Sequence, residues 1–191
     1  EENQDKKYAG EPTKTIIGDN NVFRECCTVH RGTTQDIGYT QIGNDGLFMA
    51  YTHVAHDCIV GNNVIFANNA QIAGHVHVGD WAILGGFTSV HQFCKIGAHV
   101  FSGMNSKITQ DVAPFVMLQD GVPRAINAEG LKRRGFSSEE IRAVKNAFRA
   151  IFRKGQRLEQ ALQEIAEFPN QYDSLQLIID FCKTTERGLV R

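Results

Sequence analysis

Bulky apolar residues recur at every sixth position through the middle of the chain. The series begins at Ile42 and holds eleven bulky apolar residues among twelve positions. Its members are Ile42, Phe48, Val54, Val60, Phe66, Ile72, Val78, Leu84, Val90, Ile96, Ser102 and Ile108. A period of six matches neither an α-helix, with about 3.6 residues per turn, nor an amphipathic strand, with a period of about two. It is typical of a solenoid whose sides are short strands and whose corners are turns.

A second series lies four positions after the first, and each of its members is small or β-branched. They are Gly46, Thr52, Cys58, Val64, Ala70, Val76, Ala82, Thr88, Cys94, Val100, Ser106 and Val112. We expect the bulky residue to fill the axis of the solenoid and the small residue to pack beneath its neighbours. Three sides per coil give a rung of about 18 residues, and successive rungs stack about 4.8 Å apart.

The same period is present nearer the start of the chain, at Ile17, Phe23 and Val29. It then slips by one residue within Gln35–Gln41, which we interpret as a small loop that bulges from the coil.

The repeat ends after Asp111, where the segment VAPFVMLQDGVPRAIN contains two of the four prolines of the chain. We predict that this segment is a crossing loop. The predicted fold class is an all-β solenoid plus α-helices, with the solenoid at residues 1–126 (crossing loop at about 112–126) and a C-terminal α-helical domain at residues 127–191.

Helix signals follow the crossing loop. Ser137-Ser138-Glu139-Glu140 has the form of a capping box and predicts the start of a helix, which Gly155 ends. Apolar residues at helical spacing predict a second helix near Leu158–Phe168 and a third near Tyr172–Thr184.

Composition narrows the class of protein. The chain has 191 residues and a net charge of −1, from 20 basic and 21 acidic side chains, so it lacks the strongly basic surface of a nucleic-acid-binding protein. No run of about 18 apolar residues is present. The five cysteines are an odd number without a C-x-x-C spacing, which favours buried thiols in a reducing compartment over disulfides or zinc. We therefore expect a soluble cytoplasmic protein. The polar opening EENQDKKYAG, which lacks a methionine, suggests a chain that begins partway.

Histidines cluster on one corner of the predicted solenoid. Because residues 18 apart should stack, His56, His75, His91 and Gln92 are expected to gather there across three rungs. A metal site needs ligands that converge on one ion, whereas three rungs span roughly 10 Å. We therefore expect neither a metal ion nor a cofactor.

General-base chemistry fits the cluster better. It needs one histidine whose tautomer a carboxylate fixes, and His56 is followed directly by Asp57. Gly74, one rung above His56, would offer a backbone N–H to an oxyanion. The alternative, that each histidine is only a solvated corner residue, stays open at this point. So does the alternative that the basic run Lys132–Arg134 is only a solvated face rather than a clamp for a phosphate.

Three motifs together resemble one family. The runs H-x-A-H-D-C at His53–Cys58, VHQF at Val90–Phe93 and NAEGLKRRGF at Asn127–Phe136 are similar to those of the UDP-N-acetylglucosamine acyltransferases, the first enzymes of lipid A synthesis in Gram-negative bacteria. The resemblance covers nearly the whole chain, without the N-terminal coils of the family. It implies a left-handed parallel β-helix, a homotrimer, and an active site in the cleft between subunits.

The resemblance also implies a reaction. An (R)-3-hydroxyacyl chain would pass from acyl carrier protein to the 3-hydroxyl of UDP-N-acetylglucosamine. By this resemblance the general base is His56, its orienting partner is Asp57, and the oxyanion donor is the backbone of Gly74. The residues implied to contact the substrates are Asp5, Lys7, His53, His75, His91 and Gln92, and those at the nucleotide end are Asn127, Glu129 and Arg133.

Acyl-chain length is expected to depend on Met104. By the rung arithmetic this residue belongs to another side of the coil than His56, about 13 Å away along the axis. In a trimer, the cleft between subunits can bring the His56 side of one subunit against the Met104 side of the next. A residue near this position limits chain length in the family, so we expect a donor of about ten carbons. The alternative is that Met104 only fills a gap between subunits.

Three alternative functions remain after the resemblance. They are a related UDP-sugar N-acyltransferase of the same pathway, a coenzyme A-dependent acetyltransferase on the same scaffold, and a non-catalytic structural solenoid. The last should show uniform ladders of one residue type, whereas His, Asp and Gln interrupt the ladders here.

Overall fold

Fifteen short parallel strands form three sheets along the sides of a solenoid. The computed structural model describes residues 1–191. One sheet contains β1 (Lys14–Ile17), β4 (Tyr39–Ile42), β7 (Ile59–Val60), β10 (His77–Val78) and β13 (Lys95–Ile96). A second sheet contains β2 (Val22–Phe23), β5 (Leu47–Phe48), β8 (Ile65–Phe66), β11 (Ile83–Leu84) and β14 (Phe101–Ser102). A third contains β3 (Thr28–Val29), β6 (His53–Val54), β9 (Gln71–Ile72), β12 (Ser89–Val90) and β15 (Lys107–Ile108). We call them the first, second and third sheets.

The two predicted series of residues form the core of this solenoid. Every bulky position from Ile42 to Ile108 is at most 3% exposed, including the exceptional Ser102. In the small series, every residue from Thr52 to Val112 is likewise buried. The expected inward placement of both series is confirmed.

The corners hold residues with a left-handed backbone. Positive φ angles occur at every sixth position from Asp45 to Asn105, a conformation that is uncommon outside glycine and that asparagine and aspartate tolerate best. Aromatic and histidine side chains occupy several of these corners as well. Because residues of successive rungs stack, their rings pack on one another, as His75 does on Phe93 at 4.4 Å between ring centroids.

An insertion interrupts the repeat between β3 and β4. After the insertion, paired residues of neighbouring rungs are 18 positions apart in the sequence, as in the pairing of Ile59 with His77. Across it, the offset is 25 residues, as in the pairing of Thr28 with His53. The insertion is thus seven residues long. Six of these equal one full repeat, so the seventh accounts for the one-residue slip in the sequence. We call residues 30–38, between β3 and β4, the insertion loop.

The predicted crossing loop is wrong, because much of it is a β-hairpin. Strands β16 (Val116–Gln119) and β17 (Val122–Ile126) pair antiparallel, and β16 extends the second sheet. Asp120 and Gly121 both have positive φ, as a tight Asp-Gly hairpin turn requires. Pro123 is tolerated because β17 is the edge strand. The two prolines favour a loop, but the Asp-Gly dipeptide is the stronger signal and favours a hairpin turn.

Four helices follow the hairpin. They are α1 (Ala128–Arg133), α2 (Ser138–Phe152), α3 (Leu158–Ala166) and α4 (Asp173–Lys183). The predicted cap of α2 is confirmed, since the Ser137 side chain accepts a hydrogen bond from the Glu140 N–H. The second and third predicted helices correspond to α3 and α4, whereas the short α1 was not predicted. None of the helices is both long and apolar enough to cross a membrane.

Candidate active site

A polar cavity of about 640 Å³ lies at the corner that follows the third sheet. It contains the candidate base His56, and only one of its twelve lining residues is hydrophobic. The lining residues are Asp5, Lys7, Thr33, Gln35, Asp36, His56, His75, His77, Gln92, Phe93, Lys95 and Glu186.

His56 and Asp57 form a hydrogen-bonded pair at the wall of this cavity. The distance from His56 Nδ1 to Asp57 Oδ2 is 2.9 Å. The Asp57 carboxylate is buried and also accepts hydrogen bonds from Thr33, through its backbone N–H at 2.9 Å and its hydroxyl at 2.7 Å. Because Nδ1 faces a carboxylate, it carries the proton in the neutral ring. Nε2 is left as the basic atom.

The backbone of Gly74 lies directly against the His56 ring. A Cβ added at Gly74 would lie 2.7 Å from His56 Nε2, and its three nearest atoms would all belong to that ring. The N–H of Gly74 donates no hydrogen bond within the chain. This N–H belongs to the residue that packs against the ring of the candidate base, so it is a candidate donor to an oxyanion.

His75 and Phe93 extend the wall upward from His56. The His75 ring meets the His56 ring edge-on at 4.9 Å and stacks on Phe93. Its Nδ1 lies 2.5 Å from Asp36 Oδ2. A second imidazole–carboxylate pair therefore adjoins the first.

The structure places some of the expected substrate contacts in this cavity and others outside it. Asp5, Lys7, His75 and Gln92 line it. His53 and His91 do not line it in the isolated chain. The roles assigned to all these residues stay predictions.

His53 has partners of its own on the third sheet. Its Nδ1 contacts the Thr28 hydroxyl at 2.7 Å, and its ring meets that of His30 edge-on. Burial, assisted by the neighbouring His30, lowers the pKa of His53 below its usual value. This histidine is therefore neutral near pH 7.

The residues expected at the nucleotide end line a separate cavity of about 650 Å³ on the second sheet. Glu129 and Arg133 form an exposed ion pair at 3.1 Å. Asn127 is largely committed to structure: its side chain caps α1 by accepting from the Gly130 N–H and donates to the backbone carbonyl of His99. Within one chain, the two groups of predicted substrate contacts thus lie on different faces.

An aromatic and cationic cluster borders this second cavity. The Arg134 guanidinium lies over the Trp81 ring, 5.0 Å from its centroid, and 3.1 Å from His99 Nδ1. Burial, with the Arg134 charge, lowers the pKa of His99 to about 4. His99 is therefore a neutral acceptor that holds Arg134 in place.

Three possible metal ligands lie closer together than the separation of roughly 10 Å expected from the sequence for the histidine cluster. The ligand atoms of His56, Asp57 and His75 lie within 4.8 Å of one another, so the expected spread over three rungs does not hold for them. Their hydrogen bonds nevertheless suit acid–base chemistry, because the Asp57 carboxylate already accepts from Thr33 and faces His56.

The cysteine of the H-x-A-H-D-C motif is not a candidate nucleophile. Cys58 is fully buried, its Sγ donates to the carbonyl of Ala73 at 3.1 Å, and burial raises the pKa of its thiol to about 12. A nucleophilic cysteine requires the thiolate. Of the other cysteines, Cys94 and Cys182 are buried as expected, whereas Cys26 is exposed.

Several residues of the polar cavity were not predicted from the sequence. Thr33, Gln35 and Asp36 come from the insertion loop, and His77, Lys95 and Glu186 complete the far wall. The slip in the repeat located the loop, but the sequence contained no signal for the direction in which the loop folds.

The fold and the site define a class: a transferase built from hexapeptide repeats. A model of bacterial transferase hexapeptide repeats matches residues 39–74. A model described as UDP-N-acetylglucosamine O-acyltransferase, domain 2, matches residues 111–190.

Named relatives give the particular family. An acyl-[acyl-carrier-protein]–UDP-N-acetylglucosamine O-acyltransferase of Thiobacillus denitrificans is 53% identical over 190 residues, which cover 98% of this chain and 74% of that protein. The protein of the same name from Aliivibrio salmonicida is 50% identical, with 100% and 74% covered. The chain belongs to the acyl-[acyl-carrier-protein]–UDP-N-acetylglucosamine O-acyltransferase family. The resemblance seen in the sequence is confirmed.

Solved structures agree with this assignment. The chain superposes on LpxA from Acinetobacter baumannii with a TM-score of 0.96 at 45% identity, covering 100% of this chain and 75% of that one. For the UDP-N-acetylglucosamine acyltransferase of Francisella novicida the TM-score is 0.96 at 38% identity, with 100% and 71% covered. The expected left-handed parallel β-helix with C-terminal helices is confirmed.

Replacement of Gly74 by alanine tests the close approach at the base. We expect Gly74→Ala to lower kcat by about 100-fold, because the new Cβ displaces the His56 ring from its working position. Steady-state kinetics measure this loss. Thermal unfolding should show a destabilisation that disappears in a His56→Ala background, where the clashing ring is gone. An equal destabilisation in both backgrounds would contradict the assigned contact.

Proposed function

We propose that the protein transfers an (R)-3-hydroxyacyl chain from acyl carrier protein to the 3-hydroxyl of UDP-N-acetylglucosamine, the first step of lipid A biosynthesis. The observation that carries the proposal is the His56–Asp57 pair with a free backbone N–H at Gly74. Membership of the O-acyltransferase family supports the choice of both substrates.

His56 acts as the general base in this reaction. Its Nε2 removes the proton of the sugar 3-hydroxyl as the oxygen attacks the thioester carbonyl carbon. Asp57 keeps the proton of the neutral ring on Nδ1 and stabilises the imidazolium that forms, since Asp57 Oδ2 lies 2.9 Å from His56 Nδ1. The Thr33 hydrogen bonds hold the carboxylate in this orientation.

Gly74 stabilises the charge that develops on the carbonyl oxygen. The tetrahedral intermediate accepts a hydrogen bond from the Gly74 N–H. When the intermediate collapses, the carbon–sulfur bond breaks and the imidazolium of His56 returns its proton to the departing thiolate. The products are the 3-O-acyl sugar nucleotide and the free thiol of the carrier protein.

A homotrimer completes the site. Four of the six predicted substrate contacts line the His56 cavity, whereas the three predicted nucleotide contacts line the cavity on the second sheet. A neighbouring subunit would bring its nucleotide-end cavity against the His56 corner, so that one substrate spans both. This assembly, the docking of acyl carrier protein and the cytoplasmic location are parts of the proposal.

Substrate competition distinguishes this function from its alternatives. The protein is incubated with UDP-N-acetylglucosamine and either an acyl carrier protein thioester or acetyl-coenzyme A, and in parallel with an amino-sugar acceptor. The proposed function predicts a product only from the carrier thioester and the hydroxyl acceptor, with an alkali-labile ester. An alkali-resistant amide would identify an N-acyltransferase, and transfer from acetyl-coenzyme A would identify an acetyltransferase.

Removal of the base should abolish turnover without unfolding the protein. We expect His56→Ala to lower kcat by about 10²–10⁴-fold, because no other group within reach of the hydroxyl has a free basic nitrogen held by a buried carboxylate. Acyl-transfer assays measure the loss, and circular dichroism with sedimentation establishes that fold and assembly persist. Near-normal activity in a folded variant would refute the role of His56.

Arg133 should affect nucleotide binding more than chemistry. Its ion pair with Glu129 is largely exposed and worth little, so the guanidinium is available to a phosphate. We expect Arg133→Ala to raise KM by about tenfold with kcat largely kept. Lys183→Ala, an exposed cation at the end of α4, serves as the control. A loss confined to kcat would rule out this role.

Met104 should set the preferred length of the acyl chain. Its side chain is 66% exposed in the isolated chain, so its truncation costs little in the core of the subunit. We expect a preference for donors of about ten carbons, and Met104→Gly should shift it toward longer ones, because each methylene discriminates by about 1–3 kcal/mol in such a pocket. Competition between carrier thioesters of different length gives the profile. An unchanged profile would exclude Met104 from length selection.

A further inference from the structure

The insertion loop supports two of the three imidazoles of the polar cavity, those of His56 and His75. Thr33 from this loop holds Asp57, the partner of His56. Three residues further along the same loop, Asp36 Oδ2 lies 2.5 Å from His75 Nδ1. One break in the repeat therefore supplies the supporting contacts of two adjacent histidines.

The contact between Asp36 and His75 has the geometry of a charge-assisted hydrogen bond. An ionised carboxylate only accepts hydrogen bonds, so His75 Nδ1 must donate the proton. Such bonds are shorter and stronger than neutral ones. The His75 side chain is only 15% exposed, whereas that of Asp36 is 38% exposed. The imidazole is the buried partner, and the carboxylate reaches it from the cavity rim.

The His75 ring also contacts two neighbouring rings. One face stacks on Phe93, with the ring planes 5° apart, and the ring meets that of His56 edge-on. Rotation of the ring is therefore restricted. With Nδ1 bound to Asp36, Nε2 is the only ring nitrogen of His75 without a partner in the chain.

The insertion loop is itself firmly anchored. A Cβ at Gly32 would lie 2.2 Å from the backbone nitrogen of Tyr39, so only glycine fits this crossing. The Gly32 carbonyl accepts a hydrogen bond from the buried Asn3 side chain, and the Gly38 carbonyl accepts from the Lys14 N–H. Asp36 is thus presented from a fixed segment, which positioning requires.

We propose that Asp36 is a positioning residue that fixes the Nδ1–H tautomer and the orientation of His75, so that Nε2 faces a hydroxyl or another hydrogen-bond donor of the substrate beside His56. The inference rests on the proposed acyl transfer. It gives the site two imidazole–carboxylate pairs with different tasks: the His56–Asp57 pair moves the proton, and the His75–Asp36 pair holds the substrate.

A double-mutant cycle tests whether Asp36 acts through His75. We expect Asp36→Ala to lower kcat/KM by about 10–100-fold, because the oriented acceptor is lost. Asp36→Asn should lose less, since its amide oxygen still accepts from Nδ1–H. In a His75→Gln background, Asp36→Ala should cause no further loss. Losses that multiply in the double variant would overturn the proposal, as would full activity of Asp36→Ala.

Asp120→Asn is the matched control. This aspartate lies in the exposed turn between β16 and β17, far from the insertion loop in sequence, and its side chain makes no hydrogen bond. Its φ of 54° is one that asparagine tolerates. We expect unchanged activity, which separates the loss of one surface charge from the loss of the His75 contact.

Imidazole ¹⁵N chemical shifts test the same inference without any turnover. At alkaline pH, where the rings are neutral, the signals assigned to His75 by their absence in His75→Gln should report the Nδ1–H tautomer. In Asp36→Ala the Nε2–H tautomer should increase. An unchanged tautomer would overturn the positioning role. If the protein does not transfer acyl chains, the shifts still decide the contact, so failure of the proposed function is distinguishable from failure of this inference.

Discussion

The stacking of each residue on the one a full rung below is the constraint on which the structure depends. It places bulky and small residues alternately on the axis, and it forces the corners into the same left-handed backbone at every sixth position. The same constraint builds the site, because it brings His56 beneath Gly74 and stacks His75 under Phe93. The chemistry is thus placed by the register of the solenoid rather than by a separate scaffold.

The site also depends on one departure from this regularity. A perfect repeat would place only corner residues around His56, and these come from rungs at fixed spacing. The seven-residue insertion between β3 and β4 brings an additional segment of chain to the corner, where Thr33 binds the buried Asp57 carboxylate. A buried carboxylate needs several donors, and the insertion provides two of them in one residue.

The protonation states of the histidines follow from their surroundings. Burial lowers the pKa values of His53, His77 and His99, the last to about 4 with help from Arg134. These rings are neutral near pH 7, and those of His53 and His99 act as hydrogen-bonding groups. At His56, a buried carboxylate faces Nδ1, a geometry that stabilises the imidazolium formed when a general base accepts a proton.

The sequence alone determined the solenoid, its core, the cap of α2 and the pairing of His56 with Asp57, because each follows from a fixed spacing or from adjacent residues. Its motifs also identified the family, and the stacking rule placed Gly74 against His56. The tertiary structure decided what local spacing does not encode. The hairpin of β16 and β17 depends on an open edge of the second sheet, and the contact of Asp36 with His75 joins residues 39 apart. The separation of the His56 cavity from that of Arg133 likewise depends on where α1 packs, because α1 places Arg133 against the second sheet. The packing of a helix on a sheet is a long-range contact that local spacing does not encode.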